Sequence, residues 1–146
     1  MTPDLPLFVY GTLRDPDILG AVIGRPAPRS RTGWAVGCRA VYFPGQVYPA
    51  LVAAPGEVAE GLLLDDLGAG ELAALDRFEG ELYRRGLVTV ECGGTKVEAL
   101  AYWPTLAVPA DAAPWTLDLW LKRHKSVVVL AEIAAGIAAR QALAPK

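Results

Sequence analysis

Leu87-Val88-Thr89-Val90-Glu91-Cys92, then Gly93-Gly94, then Val97-Glu98-Ala99-Leu100-Ala101-Tyr102-Trp103 is the stretch that sets the fold class. Two runs rich in β-branched and aromatic residues flank a glycine pair, and that pattern reads as a β-hairpin. Upstream lie more pieces of the same kind. Trp34-Ala35-Val36, Arg39-Ala40-Val41-Tyr42, Tyr48-Pro49-Ala50-Leu51-Val52-Ala53 and Val58-Ala59-Glu60-Gly61-Leu62-Leu63-Leu64 each read as a short strand. Phe43-Pro44-Gly45-Gln46 and Pro55-Gly56 read as turns between them. Leu7-Phe8-Val9-Tyr10 is a first strand ended by Gly11.

Helices fall at both ends and once in the middle. Asp15 as N-cap with Pro16 at the first helical position opens one. Ile18, Leu19, Val22 and Ile23 follow at helical spacing, and Gly24 closes it. Residues 25–33 read as a basic loop. Gly68 to Phe78 reads as a second helix with Leu72, Leu75 and Phe78 on one side, stopped by Gly80. Pro104 to Pro114 is a Pro/Ala loop. From Trp115 the chain reads as helical, broken near His124-Lys125, with a final helix to about Leu143 that packs onto the strands. The expectation is one α+β domain over residues 1–146, built on a small, closed, mostly antiparallel β-barrel with flanking helices.

Composition narrows the chemistry. The 146 residues are 53% hydrophobic and 21% charged, which describes a globular chain. With 15 glycines and 12 prolines, turns and short elements are expected. Fourteen basic and sixteen acidic residues give a net charge of −2, so no basic face is implied and nucleic acid is not expected as a partner. The apolar stretch from Ser126 to Ala139 contains Glu132 and Gly136 and falls short of the ~20 residues a membrane span needs. Cys38 and Cys92 show no CxxC spacing, the start of the chain lacks the basic segment of a signal peptide, and a cytoplasmic location with free thiols is expected.

The polar inventory is thin: His124 is the one histidine, asparagine is absent, and Ser30 and Ser126 are the only serines. Neither serine sits in a GxSxG elbow, and Ser126 is two positions from His124, a spacing that does not bring helical side chains together. One histidine and two scattered cysteines argue against zinc, and no carboxylate pair lies in an EF-hand pattern. No phosphate-binding glycine loop is present. No metal and no cofactor are expected. What remains is chemistry carried by carboxylates, tyrosines, arginines and backbone amides.

Two segments stand out against that background. Phe8-Val9-Tyr10-Gly11-Thr12-Leu13-Arg14 is a strand emptying into a glycine-containing bend ahead of a helix. There Gly11 permits a sharp turn and close approach of backbone to a ligand, and consecutive amides can form an anion-binding nest. Leu75-Asp76-Arg77-Phe78-Glu79-Gly80-Glu81-Leu82-Tyr83-Arg84-Arg85 puts Glu79 at the very end of a short helix. A negative charge is disfavoured at a helix C-terminus, a placement that tends to raise a carboxyl pKa and suits a general base. Considered separately, the first segment is also an ordinary tight connection and Glu79 also an ordinary surface glutamate.

Together with Tyr48-Pro49-Ala50-Leu51, Gly61-Leu62 and Trp115…Trp120…His124, these segments resemble the gamma-glutamylcyclotransferase-like superfamily. The similarity is to the branch of the avirulence-induced plant proteins and gamma-glutamylamine cyclotransferase. The resemblance implies a small barrel with flanking helices and an enzyme that releases 5-oxoproline from a gamma-glutamyl amine, amino acid or peptide. It implies that Tyr10, Gly11, Thr12 and Leu13 bind the glutamyl part and that Glu79 is the essential acid/base. Tyr83 is expected to line the substrate cavity, with Tyr48 and Arg84 as further lining residues. Thr12 stands where glutathione-directed branches often differ, and this chain has no asparagine to supply their Asn before the Leu, so those substrates are in doubt. A metabolite-binding domain of the same fold without turnover, and an interaction domain working through the C-terminal helix, are the alternatives. The sequence leaves the oligomeric state open.

Overall fold

The computed structural model describes residues 5–46 and 48–123. Five strands pair in the order β1-β3-β2-β4-β5 and close on themselves. They are β1 (Leu7–Val9), β2 (Ser30–Tyr42), β3 (Pro49–Leu64), β4 (Tyr83–Cys92) and β5 (Thr95–Pro104). Every pairing is antiparallel except β1 with β5, which is parallel. The expected α+β architecture, a closed and mostly antiparallel ring of strands with helices beside it, is therefore what the chain adopts.

Alternation along β1 separates two cores. Phe8 and Tyr10 point into the ring with Leu51, Leu63, Val90, Ala99 and Ala101. Leu7 and Val9 point outward to a second cluster with Leu64, Tyr102 and the helices. This is the two-residue period of a strand buried on both faces. Gly61 makes room for the inner packing. A Cβ there would lie 2.5 Å from Phe8 Cζ and from the Val9 carbonyl oxygen, so no larger residue lets β1 and its phenyl ring sit so close to β3.

Helix α1 (Pro16–Ile23) starts as its sequence dictates: Asp15 caps it by accepting from the Asp17 amide at 3.1 Å, and it ends at Gly24. Its Ile18, Leu19, Val22 and Ile23 are buried in the outer cluster. Helix α2 (Ala69–Glu79) packs beside it through Ala74 and Leu75. Arg25, following α1, makes a two-point ion pair with Glu71 in the first turn of α2, and Glu71 also accepts from the Gly68 amide at 2.9 Å. Helix α3 (Leu117–Arg123) carries Trp120, fully buried in the outer core. No helix among the described residues is long and apolar enough to cross a membrane.

Three boundaries differ from the sequence reading. The pieces at 34–36 and 39–42 are one strand, and β2 begins at Ser30, inside the expected basic loop. Gly37, between the two expected pieces, sits at a register shift between Val36 and Cys38, a bulge rather than a turn. Pro55-Gly56 likewise does not reverse the chain. Residues 54–57 arch out opposite that bulge, and β3 then resumes pairing with β2 at Val58. Finally, β4 begins at Tyr83 and not Leu87, since pairing with β5 runs on to Tyr83↔Pro104. The hairpin at Gly93-Gly94, the turn at 43–46 and the stop at Gly80 stand as read. The expected break at His124-Lys125 and the final helix lie outside the described residues.

Candidate active site

β1 delivers the chain into the bend at Gly11, followed by a single 3-10 turn over Thr12–Arg14. The Arg14 amide bonds the Gly11 carbonyl at 3.1 Å and the Asp15 amide bonds the Thr12 carbonyl at 2.9 Å. A turn of this kind leaves its first amides with no carbonyl one turn behind them, and Thr12 and Leu13 occupy that position. Opposite the bend, α2 ends at Glu79. Gly80, with φ 71°, turns the chain through a short 3-10 segment (Gly80–Leu82) into β4, where Tyr83 is the first residue. Only glycine takes that left-handed backbone routinely, so Gly80 fixes where the helix stops and where its last carboxylate projects.

These elements line a cavity of about 150 Å³. Tyr10, Gly11, Thr12 and Leu13 form one wall; Phe78, Glu79, Leu82 and Tyr83 form another. Tyr48, just ahead of β3, Pro49 at its start and Tyr102 of β5 add to the lining. Among the described residues that line it, Glu79 is the one with a formal charge. Tyr10, Gly11, Thr12, Leu13, Glu79 and Tyr83, six of the residues singled out from the sequence, thus line a single space although 65 residues or more separate the two groups in sequence.

Several assignments sharpen. Tyr10 is 5% exposed, and its hydroxyl is committed to the protein: it donates to the Tyr102 carbonyl and accepts from the Leu51 amide at 3.2 Å. It is a strut across the ring that gives the cavity a ring face. Burial above all, then the Tyr83 hydroxyl and the Glu79 carboxylate, push the Tyr10 phenol well above its usual pKa. It therefore stays protonated and hydrogen-bonded. Tyr83 donates to the Pro49 carbonyl at 2.6 Å, tying β4 to β3 at the cavity's edge. Gly11 is required by its neighbour: a Cβ would stand 2.8 Å from Pro49 Cγ. Tyr48 lines the cavity as expected, whereas Arg84 is exposed and does not.

Tyr102 is the residue the sequence reading missed. It is 4% exposed, lines the cavity, and its hydroxyl donates to Asp76 at 2.7 Å. Burial first, then the hydrogen bond to Asp76 and the charges of Asp76 and Glu79, raise its phenol pKa far above the usual value, with Arg85 opposing. The alternation of the second hairpin strand was the available signal, since Ala99 and Ala101 inward place Tyr102 on the face toward α2.

A closed ring of strands thus brings one carboxylate and a glycine-containing bend to the walls of a single small cavity, the size of space that suits a small molecule. The sequence matches the family described as "Gamma-glutamyl cyclotransferase, AIG2-like" over residues 7–121, and the chain belongs to that family. AIG2-like protein A of Arabidopsis thaliana is 29% identical over 122 residues, covering 82% of this chain and 73% of the relative. AIG2-like protein D of the same plant is 27% identical over 122 residues, with 81% and 80% covered. Among solved structures, an Arabidopsis thaliana protein is similar at a TM-score of 0.67 and 25% identity, with 87% of each chain covered. A structure named gamma-glutamyl cyclotransferase shares the fold at a TM-score of 0.60 and 16% identity, covering 69% of this chain and 66% of its own.

Proposed function

We propose that this protein releases 5-oxoproline from a gamma-glutamyl compound by internal attack, with Glu79 as the proton carrier. The observation that carries the reading is that the Glu79 carboxylate and the 10–13 bend line the same cavity. In the reaction the α-amine nitrogen of the glutamyl group attacks its own γ-carbonyl carbon. A five-membered lactam closes, the bond to the γ-nitrogen breaks, and an amine or amino acid departs. The nucleophile is tethered to its target, so the enzyme supplies none. Well-aligned intramolecular reactions reach effective molarities of roughly 10⁵–10⁸ M, and a cavity of this size supports the reading because it holds a short chain folded.

Protons must still move. An α-ammonium cannot attack, and the departing nitrogen must be protonated. Glu79 takes a proton from the former and returns one to the latter, work that is typically worth 10²–10⁴-fold. With no arginine or lysine among the described lining residues, the substrate carboxylate or the developing oxyanion falls to the amides of the 10–13 bend. Tyr10 and Tyr102, held neutral, add no charge to the site. The test is to incubate the protein with a panel of gamma-glutamyl amines, amino acids and peptides and to assay 5-oxoproline. Turnover of at least one compound, abolished in Glu79→Gln with the fold intact, is expected. Binding without product from any of them, or full turnover by Glu79→Gln, would overturn the reading.

A further inference from the structure

We infer that Asp76 is a positioning residue for Glu79: its carboxylate locks the last turn of α2 to β4 and β5 together and so aims the acid that faces the cavity. The inference rests on the role proposed for Glu79. Asp76 lies three positions before Glu79, one helical turn back. Its Oδ1 accepts from the Tyr102 hydroxyl at 2.7 Å and lies 2.9 Å from Arg85 Nε in an ion pair, and its Oδ2 accepts from Arg85 Nη2 at 3.0 Å. A two-point guanidinium–carboxylate pair fixes orientation as well as distance.

The need for such an anchor follows from where the helix ends. Glu79 is the final residue of α2, and Gly80 turns the chain away at once, its amide bonding the Asp76 carbonyl. Beyond Glu79 there is only the short 3-10 segment Gly80–Leu82, so the last α-helical turn is the platform that carries its side chain, and what holds that turn from the side bears on where the carboxylate projects. Asp76 does that through two strands, and Tyr102 extends the link: it lines the cavity itself, and its carbonyl accepts from the Tyr10 hydroxyl behind the bend. The chain Arg85–Asp76–Tyr102–Tyr10 thereby joins the two walls of the site. The Asp76–Arg85 pair is partly solvent-exposed, and pairs of that kind contribute little to stability. Its contribution is geometric.

Asp76→Ala, Asp76→Asn and Glu79→Gln are compared for kcat, KM and thermal unfolding on whichever gamma-glutamyl compound the parent turns over. A base displaced by about an ångström costs on the order of a hundredfold. Asp76→Ala is expected to lose roughly ten- to a hundredfold in kcat with KM nearly unchanged, and Asp76→Asn, which keeps an acceptor for Tyr102, to recover part of the loss. Glu79→Gln inactive beside a fully active Asp76→Ala overturns this inference alone. A rise in KM that accounts for the whole loss, or activity that merely tracks the folded fraction, overturns it as well. If Asp76→Ala does not fold, Asp76→Asn and Tyr102→Phe decide by the same kcat criterion. A parent that turns over nothing, or an active Glu79→Gln, removes the reading of the site and this inference with it.

Discussion

Gly11→Ala is the perturbation whose cost the structure specifies most directly. The Gly11 φ of −116° lies outside the left-handed region. The obstacle is the Pro49 ring: an added Cβ would lie 2.8 Å from Cγ and 3.2 Å from Cδ. Carbon atoms in good contact sit about 3.5–4.0 Å apart, so the bend and β3 would have to part by roughly 0.7 Å or more. Pro49 is buried and cannot simply swing aside, because it begins β3 opposite Tyr42 and its carbonyl holds the Tyr83 hydroxyl at 2.6 Å. Overpacking of this order costs about 1–3 kcal/mol. The reduced freedom of the unfolded chain returns about 0.4–1 kcal/mol of that. A net loss of about 1–2 kcal/mol is expected, a fall in Tm of roughly 2–8 °C for a chain of this size. Urea unfolding followed by circular dichroism measures it, and the double variant with Pro49→Ala isolates the contact. The methyl should cost less in that background by about 1 kcal/mol or more. An identical cost with and without the proline ring would refute the steric account of Gly11.

Tyr10→Phe should destabilise by about 1–3 kcal/mol, because it strands the buried Leu51 amide. Turnover per folded molecule should fall far less than in Glu79→Gln, and an equal fall at unchanged stability would make the hydroxyl a substrate contact rather than a strut. Glu71 is held below the usual carboxylate range by Arg25 and the Gly68 amide. A depressed folded pKa contributes stability that is present above the unfolded value of about 4.3 and disappears as pH falls through the folded one. Glu71→Gln should therefore lower the urea midpoint at pH 7 and leave it nearly unchanged at pH 2, whereas a midpoint lowered equally at both pH values would speak against the ion pair.

Local chemistry made most of the fold readable. Asp15-Pro16 starts α1, Gly80 stops α2, and Gly93-Gly94 turns the last hairpin because each residue alone restricts the backbone. What misled were glycines and a proline inside long strands. Gly37 and Pro55-Gly56 carry the signature of a turn, but they face each other across one β2–β3 ladder. A bulge on one strand and an arch on its partner keep the ladder going, and that pairing is long-range information no single segment contains. The parallel contact of β1 with β5, which closes the ring, is of the same kind.

The site divides along the same line. Glu79 and the 10–13 bend drew notice by position, the end of a helix and the exit of a strand, and it was the family resemblance that set them apart from an ordinary surface glutamate and an ordinary connection. The tyrosines were not legible, because a phenol is defined by its partner. Tyr10 and Tyr83 line the cavity as anticipated, yet both hydroxyls hold main chain: Tyr10 bridges β5 and β3, and Tyr83 fastens to Pro49. Tyr102 went unmarked, though its hydroxyl reaches the helix that presents Glu79. Three phenols thus brace the walls around a single carboxylate. For a reaction whose nucleophile arrives inside the substrate, that division of labour is physically sensible. In the proposed reaction the barrier falls when a short flexible chain is held bent, so rigid cavity walls would do the work that a protein nucleophile otherwise performs.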